Sequence, residues 1–313
     1  MKLPLVTIAV PFYNAEVHLR ESLESALQQT YSNIELLLLN DGSTDSSIEI
    51  ATELASKHSK IRLLYQENHG IAGSRNRLIE EAKGKYFFFL DSDDIIEPYA
   101  IEKLQSHLIE VASDIVIARH YRITSGGQKK YIDTLTGNTL LEKRQAYKEY
   151  LRHKTFKSFV WGTLYKTEIL KNRVIFPTGR KWEDMAVMPD IIFQCQRIAF
   201  LEEALYGYRK TPTGLVETAN SEAILDLIEF VSKTGRYVED AEEREMFVAL
   251  IVSHLYGVIK RKIKKAKNTT DKKTLKNAIN HTFKTINMSE IWSNSFLKSK
   301  QKRRVWLWYL LNM

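Results

Sequence analysis

Tyr86-Phe87-Phe88-Phe89-Leu90-Asp91-Ser92-Asp93-Asp94 joins a short apolar run to three carboxylates within four residues. The run has the length and aromatic content of a buried strand. Carboxylates at the carboxyl end of a strand sit where open α/β sheets place their ligands. Two aspartates separated by one residue offer hard oxygen ligands, and Mg²⁺ or Mn²⁺ readily shares such ligands with substrate phosphates. An Asp-rich turn can also cap the helix that follows, so the surrounding sequence has to decide.

Apolar runs at 6–10, 34–39, 61–65, 86–90 and 115–118 alternate with helical patterns. Leu19, Leu23 and Leu27 mark the first helix; Ile48, Ala51 and Ala55 mark the second, with Asp45 or Ser46 as its N-cap. This rhythm predicts βαβ units, right-handed crossovers and a mostly parallel sheet. Beyond about 121 the rhythm is lost: Gly126-Gly127 reads as a turn, 133–138 as a loop, and helical spacing returns from about 219.

Composition narrows the class. Of 313 residues, 44% are hydrophobic and 11% aromatic, which excludes a disordered chain, and no apolar stretch approaches the ~20 residues that span a bilayer. Met1 to Val6 runs straight into the first expected strand without an apolar signal-peptide core. The single cysteine, Cys195, excludes an internal disulfide framework and reads as a small buried hydrophobe on a helix. The expected location is the cytoplasm. Charge is uneven: residues 241–313 carry 16 Lys/Arg against 5 Asp/Glu, whereas residues 1–240 carry 30 against 33. No Walker loop and no G-x-G-x-x-G occurs.

Motifs follow the expected strands in order: Pro11-Phe12-Tyr13-Asn14, then Asn40-Asp41-Gly42-Ser43-Thr44-Asp45, then Asn68-His69-Gly70-Ile71-Ala72-Gly73-Ser74-Arg75-Asn76, then the Asp91-Ser92-Asp93-Asp94 cluster. A parallel sheet gathers such loops along one edge. Asp41 can accept a hydrogen bond from a base N–H, Tyr13 offers a ring for stacking, and Arg75 a planar fork for a carbonyl or phosphate. Gly70 and Gly73 permit close backbone approach where a helix N-terminus favours anions. Each has a plainer reading: Asn14 as an N-cap, Asp41 in an ordinary turn, Arg75 on a helix surface, Asp94 as a cap or backbone acceptor. Chance turns of this composition at four consecutive strand ends are not credible.

With Trp182-Glu183-Asp184 added, the chain resembles family 2 glycosyltransferases of the GT-A fold over about residues 5–210, most densely over 5–100. The resemblance implies a GT-A catalytic domain over 1–218, with a nucleotide-binding half at 1–120 and an acceptor and donor-sugar half at 121–218; helical spacing and charge predict a helical basic region at 219–313. It implies that Pro11, Tyr13, Asn14, Asp41, Arg75, Asp91, Ser92 and Asp93 bind a UDP-sugar. Asp93, with Asp91, would hold Mn²⁺ or Mg²⁺. Asp184 would be the catalytic base of an inverting transfer of a hexose or N-acetylhexosamine, and Glu183 would orient it or touch the donor sugar. Adjacent carboxylates can raise one another's pKa, and acids also favour the start of a helix; both readings hold for this pair. Gly179-Arg180-Lys181 either faces phosphate or is a solvated loop.

The implied acceptor is a hydroxyl of a growing surface glycan, including one carried on a polyprenyl diphosphate at the inner membrane face. A teichoic-acid or glycoprotein acceptor, or a non-catalytic scaffold, are the alternatives. Trp161-Gly162-Thr163-Leu164-Tyr165 departs from the family, many of whose members carry Asn-Lys where Gly162 and Thr163 stand. Trp161 either stacks on sugar or sits in the core, His120 is either structural or a further metal ligand, and residues 210–218 are placed to form a lid. The basic C-terminal run ending in Trp306, Trp308 and Leu310 predicts one of three things: an anionic membrane surface, docking on the catalytic domain, or a homo-oligomer interface. Nucleic acid is not expected, since no recognition motif accompanies the charge.

Overall fold

In the computed structural model, which describes residues 3–124, 126–132, 139–154, 156–172, 174–211, 220–261 and 269–312, the apolar runs form β1 (Val6–Phe12), β2 (Ile34–Asn40), β3 (Ile61–Tyr65) and β4 (Tyr86–Phe89). They lie parallel in the order β3-β2-β1-β4, with Val6 in register with both Ile34 and Tyr86. All seven residues of β1 and all four of β4 are buried. Strands covered on both faces need apolar side chains on both, which is why these segments read as continuous apolar runs. Pro11 sits inside β1 at no cost to the ladder. The Ala9 carbonyl accepts from the Leu90 N–H, the last bond on the β4 side, so the missing N–H of Pro11 points past the end of that pairing.

Connecting helices α1 (Leu19–Leu27), α2 (Ser47–Lys57) and α3 (Gly70–Glu81) form where expected. Leu19, Leu23 and Ala51 are buried as their spacing predicts, whereas Leu27, Ile48 and Ala55 are half-buried and Leu54 takes the buried place on α2. Ser46 precedes α2 without a side-chain cap. Asp45 does the capping: its carboxylate accepts from the Ser47 N–H at 3.0 Å and from the Glu16 N–H at 3.1 Å. Asn14 is not a helix cap, because α1 begins only after His18.

Past β4 come β5 (Ile95–Ile96), α4 (Ala100–Glu110), β6 (Ile115–Ile123), β7 (Lys129–Tyr131), β8 (Thr139–Glu142), α5 (Lys143–Arg152), β9 (Thr163–Lys166), α6 (Thr167–Lys171), α7 (Glu183–Gln194) and β10 (Arg197–Arg209). The full order is β3-β2-β1-β4-β9-β6-β10-β5, with β7 beside β6 and β8 beside β10. Strand β9 is antiparallel to both β4 and β6, while β10 is parallel to β6. The fold is thus mixed α/β, with β1–β4, β6 and β10 running one way. Strand β10 carries register shifts on either side of Ala204, with Glu202 and Glu203 exposed there. Cys195 follows α7 directly and is fully buried, and burial pushes its thiol pKa up.

Gly84 shows how tightly β1 is held. Its N–H donates to Thr7 Oγ1 at 2.9 Å, its carbonyl accepts from Thr167 Oγ1 at 2.7 Å, and a Cβ would lie 2.5 Å from the Thr7 nitrogen. Gly84→Ala should therefore cost about 1–3 kcal/mol, as overpacking does. Thermal unfolding should show a clearly lower Tm; an unchanged Tm would mean that β1 can shift to admit the methyl.

The chain divides into two compact units. The first, residues 1–146, 159–179 and 190–212, contains the sheet. The second, residues 147–158, 180–189 and 213–313, is helical: α8 (Ser221–Thr234), a 3₁₀ turn (Gly235–Tyr237), α9 (Ala241–Arg261), α10 (Thr269–Phe283), α11 (Met288–Ser293) and α12 (Ser299–Asn312). Met246, Val248, Val252, Leu255, Ile279 and Val305 are among its buried side chains. The Asn220 side chain caps α8, and Asn287 and Glu290 form a capping box on α11. Residue 218, the expected boundary, lies outside the described residues. Among the described residues no helix is long and apolar enough to cross a membrane.

Candidate active site

In the sheet unit, the loops after β1 and β2 are bonded to each other. Asn14 Oδ1 accepts from the Thr44 N–H at 2.8 Å, and the Asn14 N–H donates to Ser43 Oγ at 3.1 Å. Asn14 adopts φ +47°, a left-handed conformation that Asn tolerates better than most residues. The Tyr13 side chain is half exposed, leaving ring surface for a planar partner. Asp41 is only 3% exposed. Its Oδ1 accepts from Gln66 Nε2 at 2.6 Å and from the His69 N–H at 2.9 Å. Gly42, at φ +77°, passes so close to the next loop that a Cβ would stand 3.0 Å from the Asn68 nitrogen. Pro11, Tyr13, Asn14 and Asp41 thus meet at the ends of two adjacent strands.

The acidic loop after β4 gives each aspartate a different task. Arg75, on α3 and 3% exposed, donates from Nη2 to Asp91 Oδ1 at 3.1 Å. Its guanidinium lies 5.7 Å from the ring centres of both Phe89 and Phe176. It therefore orients Asp91 rather than lying on the helix surface. Asp94 is 1% exposed; Oδ2 accepts from the Tyr206 hydroxyl at 2.8 Å and Oδ1 from the Arg209 N–H at 2.6 Å. That is the backbone-acceptor alternative for Asp94. Ser92 is half-buried between them.

Asp93 is the aspartate left over: no described side chain donates to its carboxylate. Burial first, and then the charge of Asp91, push its pKa up to about 6. Burial first, and then the charges of Asp93 and Asp91, hold Asp94 well above the usual carboxylate range. A loop with three acids and one paired arginine fits a cation, and Asp93 with Asp91 is the hard-oxygen pair it presents. Among the described residues no group of three or more His, Cys, Asp and Glu side chains is arranged to hold a metal by itself. Two protein carboxylates suit Mg²⁺ or Mn²⁺, which keep water and phosphate oxygens in their shell.

Sequence reading missed Tyr206, Arg209 and Gln66. Tyr206 also accepts from the Asp91 N–H at 3.2 Å, and Arg209 donates from Nε to the Asp93 carbonyl at 2.9 Å and from Nη2 to Glu21 at 2.7 Å. Trp161, 8% exposed, is stacked against Phe159, Tyr206 and Tyr208, which is the core reading of that residue. His120 packs edge-on to Trp161 at 5.0 Å, and burial lowers its pKa to about 4. Gly162 takes φ +67° against the Tyr206 ring. The lid expected at 210–218 falls, from 212 on, outside the described residues.

In the helical unit, Glu183 and Asp184 form the first turn of α7, where the helix dipole favours acids. Glu183 is 6% exposed and Asp184 half-buried. Met185, Val187, Met188, Ile191 and Ile192 of the same helix are buried, as their spacing predicts. Trp182, just before the pair, adopts φ +61°. A bulky residue held left-handed costs about 1–2 kcal/mol and is most often kept where a precise orientation matters. Arg180 is committed to Asp226 and Glu229, and the Lys181 N–H donates to Asp226 at 2.8 Å. Gly179 and Lys181 are exposed, as the solvated-loop reading has it, and the Arg180 guanidinium is held in an ion-pair network.

The Glycosyl transferase family 2 profile matches residues 7–173. Glycosyltransferase GlyG of Streptococcus pneumoniae serotype 4 is 34% identical over 239 residues, 73% of this chain and 79% of that protein. Glycosyltransferase GlyA of the same organism is 33% identical over 212 residues, 65% of this chain but only 30% of GlyA, so the match spans under a third of that relative's length. Among solved structures, S. aureus TarS 1–349 in complex with UDP-GlcNAc superposes with a TM-score of 0.75 at 18% identity, covering 91% of this chain and 82% of that one. A mannosyltransferase of Pyrobaculum calidifontis with GDP-Man and Mn²⁺ gives 0.58 at 15% identity, covering 99% and 87%. Both likenesses concern the fold.

Proposed function

Because this chain belongs to glycosyltransferase family 2, we propose that it moves a hexose or N-acetylhexosamine from a UDP-sugar to a hydroxyl of a growing cell-surface glycan, inverting the anomeric centre. The observation that carries this reading is the gathering of the Tyr13, Asp41 and Asp91–Ser92–Asp93 loops at the ends of adjacent parallel strands. UDP-GlcNAc bound by TarS, a protein of the same fold, supports a UDP-sugar as donor. Asp41 would accept from the uracil N–H through its unbonded oxygen, with Tyr13 stacking on the base. Asp93 and Asp91 would hold Mn²⁺ or Mg²⁺, which supplies positive charge to the departing diphosphate. Arg75 keeps Asp91 aimed, and Asp94 keeps the loop closed through Tyr206 and Arg209.

Asp184 is the proposed base. It would take the proton of the acceptor hydroxyl as that oxygen bonds to the anomeric carbon, while the bond from that carbon to the diphosphate breaks and UDP leaves. The strained Trp182 and the buried Glu183 beside it would fix its direction. A UDP-release screen across common UDP-sugars, with and without glycan acceptors, tests the reading. Release with one preferred donor, accelerated by acceptor, is expected; no release with any UDP-sugar would remove it.

The raised pKa of Asp93 sets a pH dependence. Proton and cation compete for this carboxylate, so apparent affinity for Mn²⁺ and UDP should be flat above about pH 6 and fall about tenfold per unit below it. In the metal-free protein the same group works the other way: its folded pKa exceeds its unfolded one, so stability declines as pH rises between about 4 and 6. Titration calorimetry from pH 5 to 8 reads the first effect. Affinity independent of pH would mean that Asp93 is not a ligand.

A further inference from the structure

The end of the described chain turns apolar side chains outward. On α12, Val305 is fully buried and Gln301 bonds inward to Ser253, so the opposite face carries Lys300, Arg303, Trp306 and Leu307. Trp306 is 41% and Leu307 52% exposed. Trp292 of α11, 45% exposed, meets Trp306 edge-on at 6.3 Å, and Lys302 Nζ caps the Trp292 carbonyl at 2.8 Å. Phe296, between the two helices, is 39% exposed. A helix that only shields a core leaves charged residues outside; here two tryptophans, a leucine and a phenylalanine share the outside with cations. Contiguous exposed apolar surface marks an interaction site.

Charge selects the partner. Lys298, Lys300, Lys302, Arg303 and Arg304 lie within seven residues, and residues 291–313 contain no Asp or Glu. A second copy of the same patch would set Lys300 and Arg303 against Lys300 and Arg303, with no acid in this segment to offset them. We infer that the outer face of α12, with Trp292 and Phe296, docks on an anionic lipid surface. The tryptophans enter the interfacial layer, where their amphipathic rings are most stable, and the lysines and arginines meet the headgroups. No described helix is suited to crossing the bilayer, so the mode is peripheral. It supplies a physical reason for the cationic C-terminal region, and it would bring the proposed transferase to lipid-borne acceptors.

The test is co-sedimentation of the full chain with vesicles of phosphatidylcholine alone and with vesicles in which about a third of the lipid is phosphatidylglycerol. The anionic vesicles should bind the chain at least about tenfold more tightly, with a blue shift of tryptophan emission and release at high salt. Trp292→Ala with Trp306→Ala should remove the blue shift and most binding, and Lys300→Glu with Arg303→Glu should remove the preference for anionic lipid. All four side chains are at the surface, so circular dichroism should report an unchanged fold. Equal or absent binding to the two vesicle types overturns the inference. So does concentration-dependent dimerisation abolished by Trp306→Ala, which would assign the patch to a second copy. No donor or acceptor is present in these assays, so their failure is distinct from failure of the transferase reading, which UDP release reports.

Discussion

Asp184→Asn should bind UDP and Mn²⁺ like the native chain yet lose transfer by about 10²- to 10⁴-fold, the range that loss of a positioned general base produces. The amide matches the carboxylate in shape and keeps a polar group in the first turn of α7, so the helix should form as before. What it cannot do is accept a proton. Asp41, Asp91 and Asp93 belong to the sheet unit and are unchanged, so kcat should collapse while nucleotide affinity stays. Glu183→Gln is the control: as an orienting or donor-touching residue, it should lose less. Full activity in Asp184→Asn would remove it from the role of base, and a larger loss in Glu183→Gln would transfer that role to Glu183.

Asp93→Asn should separate function from stability. UDP affinity in Mn²⁺ should fall by at least about tenfold, because one of the two hard anionic ligands becomes a neutral amide. Thermal stability without metal should hold or rise at neutral pH. Burial and Asp91 make the Asp93 charge unfavourable, and the amide relieves both effects. Function commonly retains such a destabilising group. Melting in EDTA together with calorimetry in Mn²⁺ checks both halves. A variant that melts lower and binds Mn²⁺ and UDP normally would make Asp93 a structural residue.

The first half of the sheet was legible because each of its signals is local. The runs 6–10, 34–39, 61–65 and 86–90 are apolar on both faces, and each ends directly in its polar motif; the strands appear there to within two residues. Strands β9 and β10 were not legible for the opposite reason. Strand β9 is four residues long and is inserted antiparallel between β4 and β6, a placement that no local pattern encodes. Strand β10 is interrupted by Glu202 and Glu203 at its register shifts, which breaks the alternation a strand is recognised by.

The site divides along the same line. Asp41 and the Asp91-Ser92-Asp93 stretch announce themselves by position after a strand. Tyr206 and Arg209 hold the acidic loop from more than a hundred residues away, and only the pairing of β10 brings them there. Arg75 was chosen for its fork, but that its fork orients Asp91 depends on the α3 packing. In α12 the run of cations leading into tryptophans was visible, whereas which face is covered is a tertiary fact.

The most direct measurement is calorimetry of UDP binding in Mn²⁺ and again in EDTA. A transferase that holds its donor through Asp93 and Asp91 should bind UDP in Mn²⁺ and at least about tenfold more weakly in EDTA. UDP affinity unaffected by EDTA, or no binding in either condition, would contradict the account.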